Sequence, residues 1–78
     1  MLTLRFFGRL RDAIGSELDV EVPRDVTDSE QLRAWLGREH PALLDAAVRI
    51  ALDDRILVNA TPIDGAREVA FLPPVSGG

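Results

Sequence analysis

Glu68-Val69-Ala70-Phe71-Leu72-Pro73-Pro74-Val75-Ser76-Gly77-Gly78 holds the reading of this chain. Residues 68–72 form a strand in which Val69 and Phe71 share the inward face and Glu68, Ala70 and Leu72 the outward one. Pro73-Pro74 stops the strand, because proline has no N–H to give a sheet ladder. The pair also favours an extended backbone near polyproline II, projecting Val75, Ser76, Gly77 and Gly78 away from the preceding residues. Two glycines make a poor end to a packed element, since they bury nothing and lose much entropy on ordering. Either the tail is inert, or something needs a bare backbone that ends in a carboxylate.

The elements upstream supply the rest of the sheet. Leu2-Thr3-Leu4-Arg5-Phe6-Phe7 alternates until its last residue, with Leu2, Leu4 and Phe6 facing a core and Thr3, Arg5 and Phe7 facing out. Residues 9–14 suit a helical turn closed by Gly15. Residues 18–22 form a second period-two strand, with Leu18, Val20 and Val22 inward. A wide loop joins the two as an antiparallel pair. Thr27-Asp28-Ser29-Glu30 fits a capping box with Thr27 as the cap and Glu30 reaching back. Leu32, Trp35 and Leu36 follow at helical spacing as core residues, and Gly37 is placed as a C-terminal stop. Pro41 opens a second short helix over 41–47. Residues 49–52 and 55–58 read as short strands around Asp53-Asp54, and Pro62-Ile63-Asp64-Gly65 reads as a turn.

This order predicts an α+β fold, a mixed sheet packed on one main helix, as in ubiquitin-like β-grasp folds. The first and last strands are expected to be parallel neighbours at the centre. Residues 1–72 would form the β-grasp domain and residues 73–78 a flexible tail. Phe7 and Leu72 would then sit together on the solvent face where the tail departs, with Ile56 joining if its strand lies alongside. Contiguous exposed apolar residues often mark a partner surface.

Composition excludes several functions. At 78 residues the chain has room for one domain and little room for an enclosed active site. It has no cysteine, hence no disulfide, thiolate metal site or cysteine nucleophile. Its net charge of −4 argues against nucleic acid, and no apolar run is long enough for a membrane span. The N-terminal residues lack the apolar core of a signal peptide, so a cytoplasmic location is expected. All nine basic side chains are arginine. There is therefore no lysine to form a Schiff base or accept an isopeptide bond. His40 stands alone and suits a surface or capping role, so no metal site is expected. Asp53 and Asp54 are neighbours whose side chains diverge in a strand, which favours a solvated turn over an acid–base pair.

Glu68-Val69-Ala70 followed by FLPPVSGG closely resembles the end of the MoaD family, the sulfur-carrier small subunits of molybdopterin synthase. The Leu4-Arg5-Phe6-Phe7-Gly8 start and the Asp64-Gly65 turn are also similar, and the resemblance spans nearly the whole chain. It implies that Gly78 is the covalent carrier. An adenylyltransferase related to ubiquitin-activating enzymes would activate its carboxylate with ATP and magnesium. A sulfur donor would convert it to a thiocarboxylate. Gly77, with Ser76, Val75, Pro74 and Pro73, would thread into the large subunit of the synthase, an assembly of two large and two small subunits. There sulfur would pass to cyclic pyranopterin monophosphate and build the molybdopterin dithiolene. Phe7, Ile56 and Leu72 would be docking residues. No phosphate loop or nucleophile–histidine–acid set is present, so ATP would bind the partner, and the chain itself would hold no cofactor. Two loops depart from the family pattern: members commonly carry Asn near Asp53, and a common Asp-Gly-Asp-Glu-Val turn is one residue longer here, as Asp64-Gly65-Ala66-Arg67-Glu68-Val69. Alternatives that share the activated Gly-Gly are a protein modifier and a sulfur carrier for thiamine thiazole or cysteine synthesis. An interaction domain with an inert tail is a further alternative.

Overall fold

A computed structural model of the chain describes residues 1–74. Its elements are β1 (Leu2–Phe6), α1 (Gly8–Ile14), β2 (Glu17–Val20), α2 (Ser29–Gly37), a 3-10 helix (Pro41–Leu44), β3 (Arg49–Leu52), β4 (Arg55–Ile56) and β5 (Glu68–Leu72). Among the described residues the sheet has five strands in the order β2-β1-β5-β3-β4. β1 and β5 run parallel at the centre, with Phe6 beside Phe71, and every other pairing is antiparallel. This mixed sheet with its helices is the ubiquitin-like β-grasp arrangement expected from the order of elements.

Alternation divides the sheet as the sequence pattern requires. Leu2, Leu4 and Phe6 of β1 and Val69 and Phe71 of β5 are buried, together with Ile50 of β3 and Leu32 and Leu36 of α2. The Phe6 and Phe71 rings lie stacked, 5.6 Å between centroids and 12° from parallel. This couples the first and last strands by side chains as well as by the ladder. Leu18 and Val20 are half-buried, since β2 is an edge strand, and Val22 lies just beyond it. Trp35 is also half-buried and packs at the margin of the core instead of within it.

Three local expectations need correction. First, the cap of α2 is one residue later than expected. Asp28 accepts a hydrogen bond from the Gln31 backbone N–H at 2.8 Å, while Gln31 Oε1 accepts from Thr27 N (2.7 Å) and from Thr27 Oγ1 (3.0 Å). Glu30 is thereby free to face Arg33, 3.3 Å away. Second, Gly37 lies inside the helix and has no positive φ. A Cβ there would run into the Leu44 side chain, so glycine serves a close approach of the 3-10 helix and not a helix stop. Third, the second helix spans only Pro41–Leu44 and is 3-10 in form.

Two sets of contacts tie α2 to the rest of the chain. Ser29, 1% exposed, exchanges hydrogen bonds with the Thr61 backbone: its N–H donates to Thr61 O at 2.8 Å, and its Oγ accepts from Thr61 N at 3.0 Å. At the other end, the Arg33 guanidinium donates to Leu43 O (3.0 Å), Asp45 O (3.0 Å) and Val48 O (2.8 Å). One planar cation thus gathers the irregular segment that leads into β3, a geometry that suits the rigid arginine fork.

Candidate functional site

The candidate site is the outer face of the sheet where β5 ends. Register places Arg5 beside Ala70, Ala70 opposite Ala51, and Ala51 opposite Ile56. This row crosses four strands on the face away from the helices. In the next row Leu72 lies opposite Arg49. Phe7 follows β1 directly, so the parallel register sets it beside Leu72. Phe7 is 38% exposed and Ile56 55% exposed, while Leu72 is half-buried.

Phe7 is held from both sides of its backbone. Its N–H donates to Phe71 O at 3.3 Å, and its own carbonyl accepts from Leu10 N (3.1 Å) and Arg11 N (3.4 Å), which starts α1. The ring therefore cannot follow the strand inward. The Arg5 guanidinium carbon lies 5.6 Å from the ring centroid, and Arg5 also pairs with Glu68 at 3.5 Å. Both partners of that pair are more than two-fifths exposed, so it orients Arg5 more than it stabilises the fold. The neighbouring α1 leaves Phe7 open to solvent.

Phe7 and Leu72 are thus brought together, whereas Ile56 stands two strands from Leu72 along the same face, about 10 Å by strand spacing. Alanines 51 and 70 floor the space between, and Arg5 and Arg49 flank it. Arg5 and Arg49 were not singled out from the sequence. Their positions follow from the alternation once the strand order is known. Val58 was also missed. It is 84% exposed just beyond β4.

The start of the tail is seated by Gly8. Gly8 has φ +55, and a Cβ built on it would lie 2.7 Å from Pro73 Cγ. The Pro73 ring therefore rests over a position where only glycine leaves room at that backbone angle. Pro73 and Pro74 are half-buried. Val75, Ser76, Gly77 and Gly78, the remaining expected tail residues, lie outside the described residues.

The other residues weighed from the sequence have structural work to do. Asp53 and Asp54 have φ of +44° and +72°, the positive pair of a type I′ hairpin between β3 and β4. Asp53 Oδ1 accepts from the Arg67 and Glu68 N–H groups at 3.2 and 3.0 Å, so this carboxylate steers the chain into β5. His40 precedes the 3-10 helix, and its carbonyl accepts from Leu43 N at 3.0 Å. Among the described residues no group of three His, Cys, Asp or Glu side chains could hold a metal, and no helix is long and apolar enough to cross a membrane.

Comparison with known proteins places this geometry in a family. The family model described as "ThiS family" matches residues 4–78. The molybdopterin synthase sulfur carrier subunit of Escherichia coli (strain K12) is 30% identical over 82 aligned positions that cover 100% of both chains. The protein of the same description from Haemophilus influenzae (strain ATCC 51907 / DSM 11121 / KW20 / Rd) is 27% identical, again over 100% of both chains. The match from residue 4 to the last residue, on a sheet with its final strand at the centre, means that the chain belongs to the ThiS family.

Proposed function

We propose that this chain is the sulfur carrier subunit of a molybdopterin synthase, active as a sulfur transferase only within that complex. The observation that carries the reading is the full-length similarity to two proteins so described, in a chain that ends in Pro-Pro-Val-Ser-Gly-Gly. The chemistry follows from the terminal carboxylate. A carboxylate resists substitution because it has no good leaving group. Attack by the Gly78 carboxylate on ATP, within an adenylyltransferase that holds the magnesium, releases pyrophosphate and gives an acyl adenylate. Sulfide-level sulfur from a donor then attacks the acyl carbon, AMP leaves, and the product is a thiocarboxylate. In the large subunit that sulfur passes to cyclic pyranopterin monophosphate; the acyl carbon–sulfur bond breaks, and water supplies the oxygen that restores the Gly78 carboxylate. One thiocarboxylate holds one sulfur and a dithiolene holds two, so each product molecule consumes two loaded carriers.

The domain contributes docking and aim. Phe7 and Leu72, with Ile56 farther along the face, offer apolar surface beside the strand end from which the tail leaves. Gly77 and Gly78 lack the Cβ that would block a narrow channel. Phe7→Arg is expected to weaken binding to the large subunit about tenfold or more, as loss of an interface anchor does, while thermal unfolding stays near wild type. Equal affinity in that variant would remove Phe7 from the interface.

The decisive experiment is the intact mass of the chain after incubation with the activating enzyme, ATP, magnesium and a sulfur donor. A gain equal to exchange of one oxygen for sulfur is expected, and adding the large subunit with cyclic pyranopterin monophosphate should reverse it. A gain that persists would redirect the reading to carriers for thiamine thiazole or cysteine synthesis. Attachment to lysines of other proteins would indicate a modifier, and no gain at all would indicate an inert tail.

A further inference from the structure

We propose that the groove on the helix side of the tail root is a second docking point for the protein that receives the tail. It takes an apolar side chain presented next to a cationic group. The proposal rests on the reading above, that the tail is handed to a partner protein. The groove encloses about 480 Å³ between α1, the 3-10 helix and the start of the tail. Leu10 and Val48, 4% and 2% exposed, belong to its floor; Ala13 and Ala42 stand exposed on opposite walls, and Pro73 and Pro74 close one side. This lining is apolar and its wall residues are small, which suits an inserted side chain.

The rim sets the sign of the partner. Asp12 and Asp45 stand on it with Arg9. Asp45 Oδ1 accepts from Ala47 N at 2.9 Å. Among the described residues neither Asp12 nor Asp45 makes an ion pair with a basic side chain. An arginine or lysine beside the inserted apolar group would meet that charge. A second copy of this chain fits poorly, because its net charge is −4.

Chain length brings a protein that takes Gly78 close to the groove. Four residues follow Pro74, a reach of at most about 14 Å when fully extended. The mouth of a channel that holds the terminal carboxylate must therefore sit against the tail root. Pro73 lies over Gly8, with Phe7 and Leu72 on the outer face and the groove on the other. A partner at that mouth is within reach of both faces of the root.

The test is titration calorimetry of the full chain with the large synthase subunit, comparing wild type, Ala13→Trp, Ala42→Trp and Asp12→Arg. The two tryptophans fill the groove from opposite walls at exposed positions, so at least one folded variant is expected. The proposal predicts affinity lower by about tenfold for each tryptophan variant and a smaller, salt-dependent loss for Asp12→Arg. If wild type binds and the folded tryptophan variants bind within about twofold of it, the groove proposal is overturned and the functional reading stands. If wild type binds neither the large subunit nor the adenylyltransferase, both fall. If sedimentation shows wild type to be a dimer that Ala13→Trp dissociates, the occupant is a second copy and the proposal is overturned.

Discussion

Arg33→Met removes one planar cation while keeping most of its aliphatic stem. The cost can be worked from the three carbonyls left behind. Leu43 O and Val48 O are part-buried, and each loses a charge-assisted donor, whereas Asp45 O is open to water and recovers a partner there. A part-buried carbonyl deprived of its partner costs about 1–3 kcal/mol, so the two together cost about 3 kcal/mol after partial hydration. The ion pair with Glu30 adds little, since the Glu30 side chain is 56% exposed. For a domain of this size, about 3 kcal/mol lowers Tm by roughly 12–24 °C. Thermal unfolding followed by circular dichroism measures this directly. Arg33→Lys should recover part of the loss, because an ammonium reaches fewer of the carbonyls than the guanidinium fork. Glu30→Gln should shift Tm by only a few degrees. Faster hydrogen exchange at the Leu43 and Val48 amides, which donate to His40 O and Asp45 O, should accompany the loss in Arg33→Met. A Tm within about 3 °C of wild type in Arg33→Met would refute the claim that the guanidinium organises the approach to β3.

Three further outcomes follow from the same geometry. Gly8→Val puts a branched side chain at φ +55 and against Pro73, so it should cost about 2 kcal/mol or more and slow sulfur transfer beyond any loss of fold; a variant with wild-type Tm and transfer rate would remove Gly8 as the seat of the tail. Asp54→Gly relieves a φ of +72° in the hairpin and should raise stability by about 0.5–1 kcal/mol in urea unfolding; a loss would mean that the Asp54 side chain contributes something its exposed position does not suggest. Deletion of Gly78 should abolish sulfur transfer and leave Tm within about 2 °C, with a large drop in Tm counting against the tail as a pure carrier arm.

The strands were legible because the large inward residues recur at every second position, even where outward neighbours such as Ala70 and Leu72 are apolar too. Leu2, Leu4, Phe6, Val69 and Phe71 declare their face without knowledge of any partner, and the order of elements then sets the topology. The same parity placed Phe7 and Leu72 together on the outer face. What escaped was set by contacts distant in sequence. Gly37 matches a helix stop until Leu44 is brought against it. The stretch Thr27-Asp28-Ser29-Glu30-Gln31 contains two overlapping capping patterns, and docking of Ser29 onto Thr61 accompanies the later one. Arg33 leaves a trace in the sequence. It shares the helical stripe of Ser29, Leu32 and Leu36, where an arginine must have a reason to face inward. The carbonyls that satisfy it belong to residues 10–15 positions farther along, and no local pattern announces them. The groove beside the tail root was equally hidden, since α1, the 3-10 helix and Pro73-Pro74 meet only in the folded chain.

The central place of β5 has a mechanical consequence. A protein that draws on the tail applies its force at Leu72, along the axis of a strand bonded on one side to β1 and on the other to β3. If the receiving protein braces the outer face, the load falls on both ladders at once and in shear. Many hydrogen bonds must then yield together, whereas a tail leaving from the edge strand β4 would load only its single ladder with β3. Placing the last strand in the middle lets the terminus be tugged without unravelling the sheet that carries it.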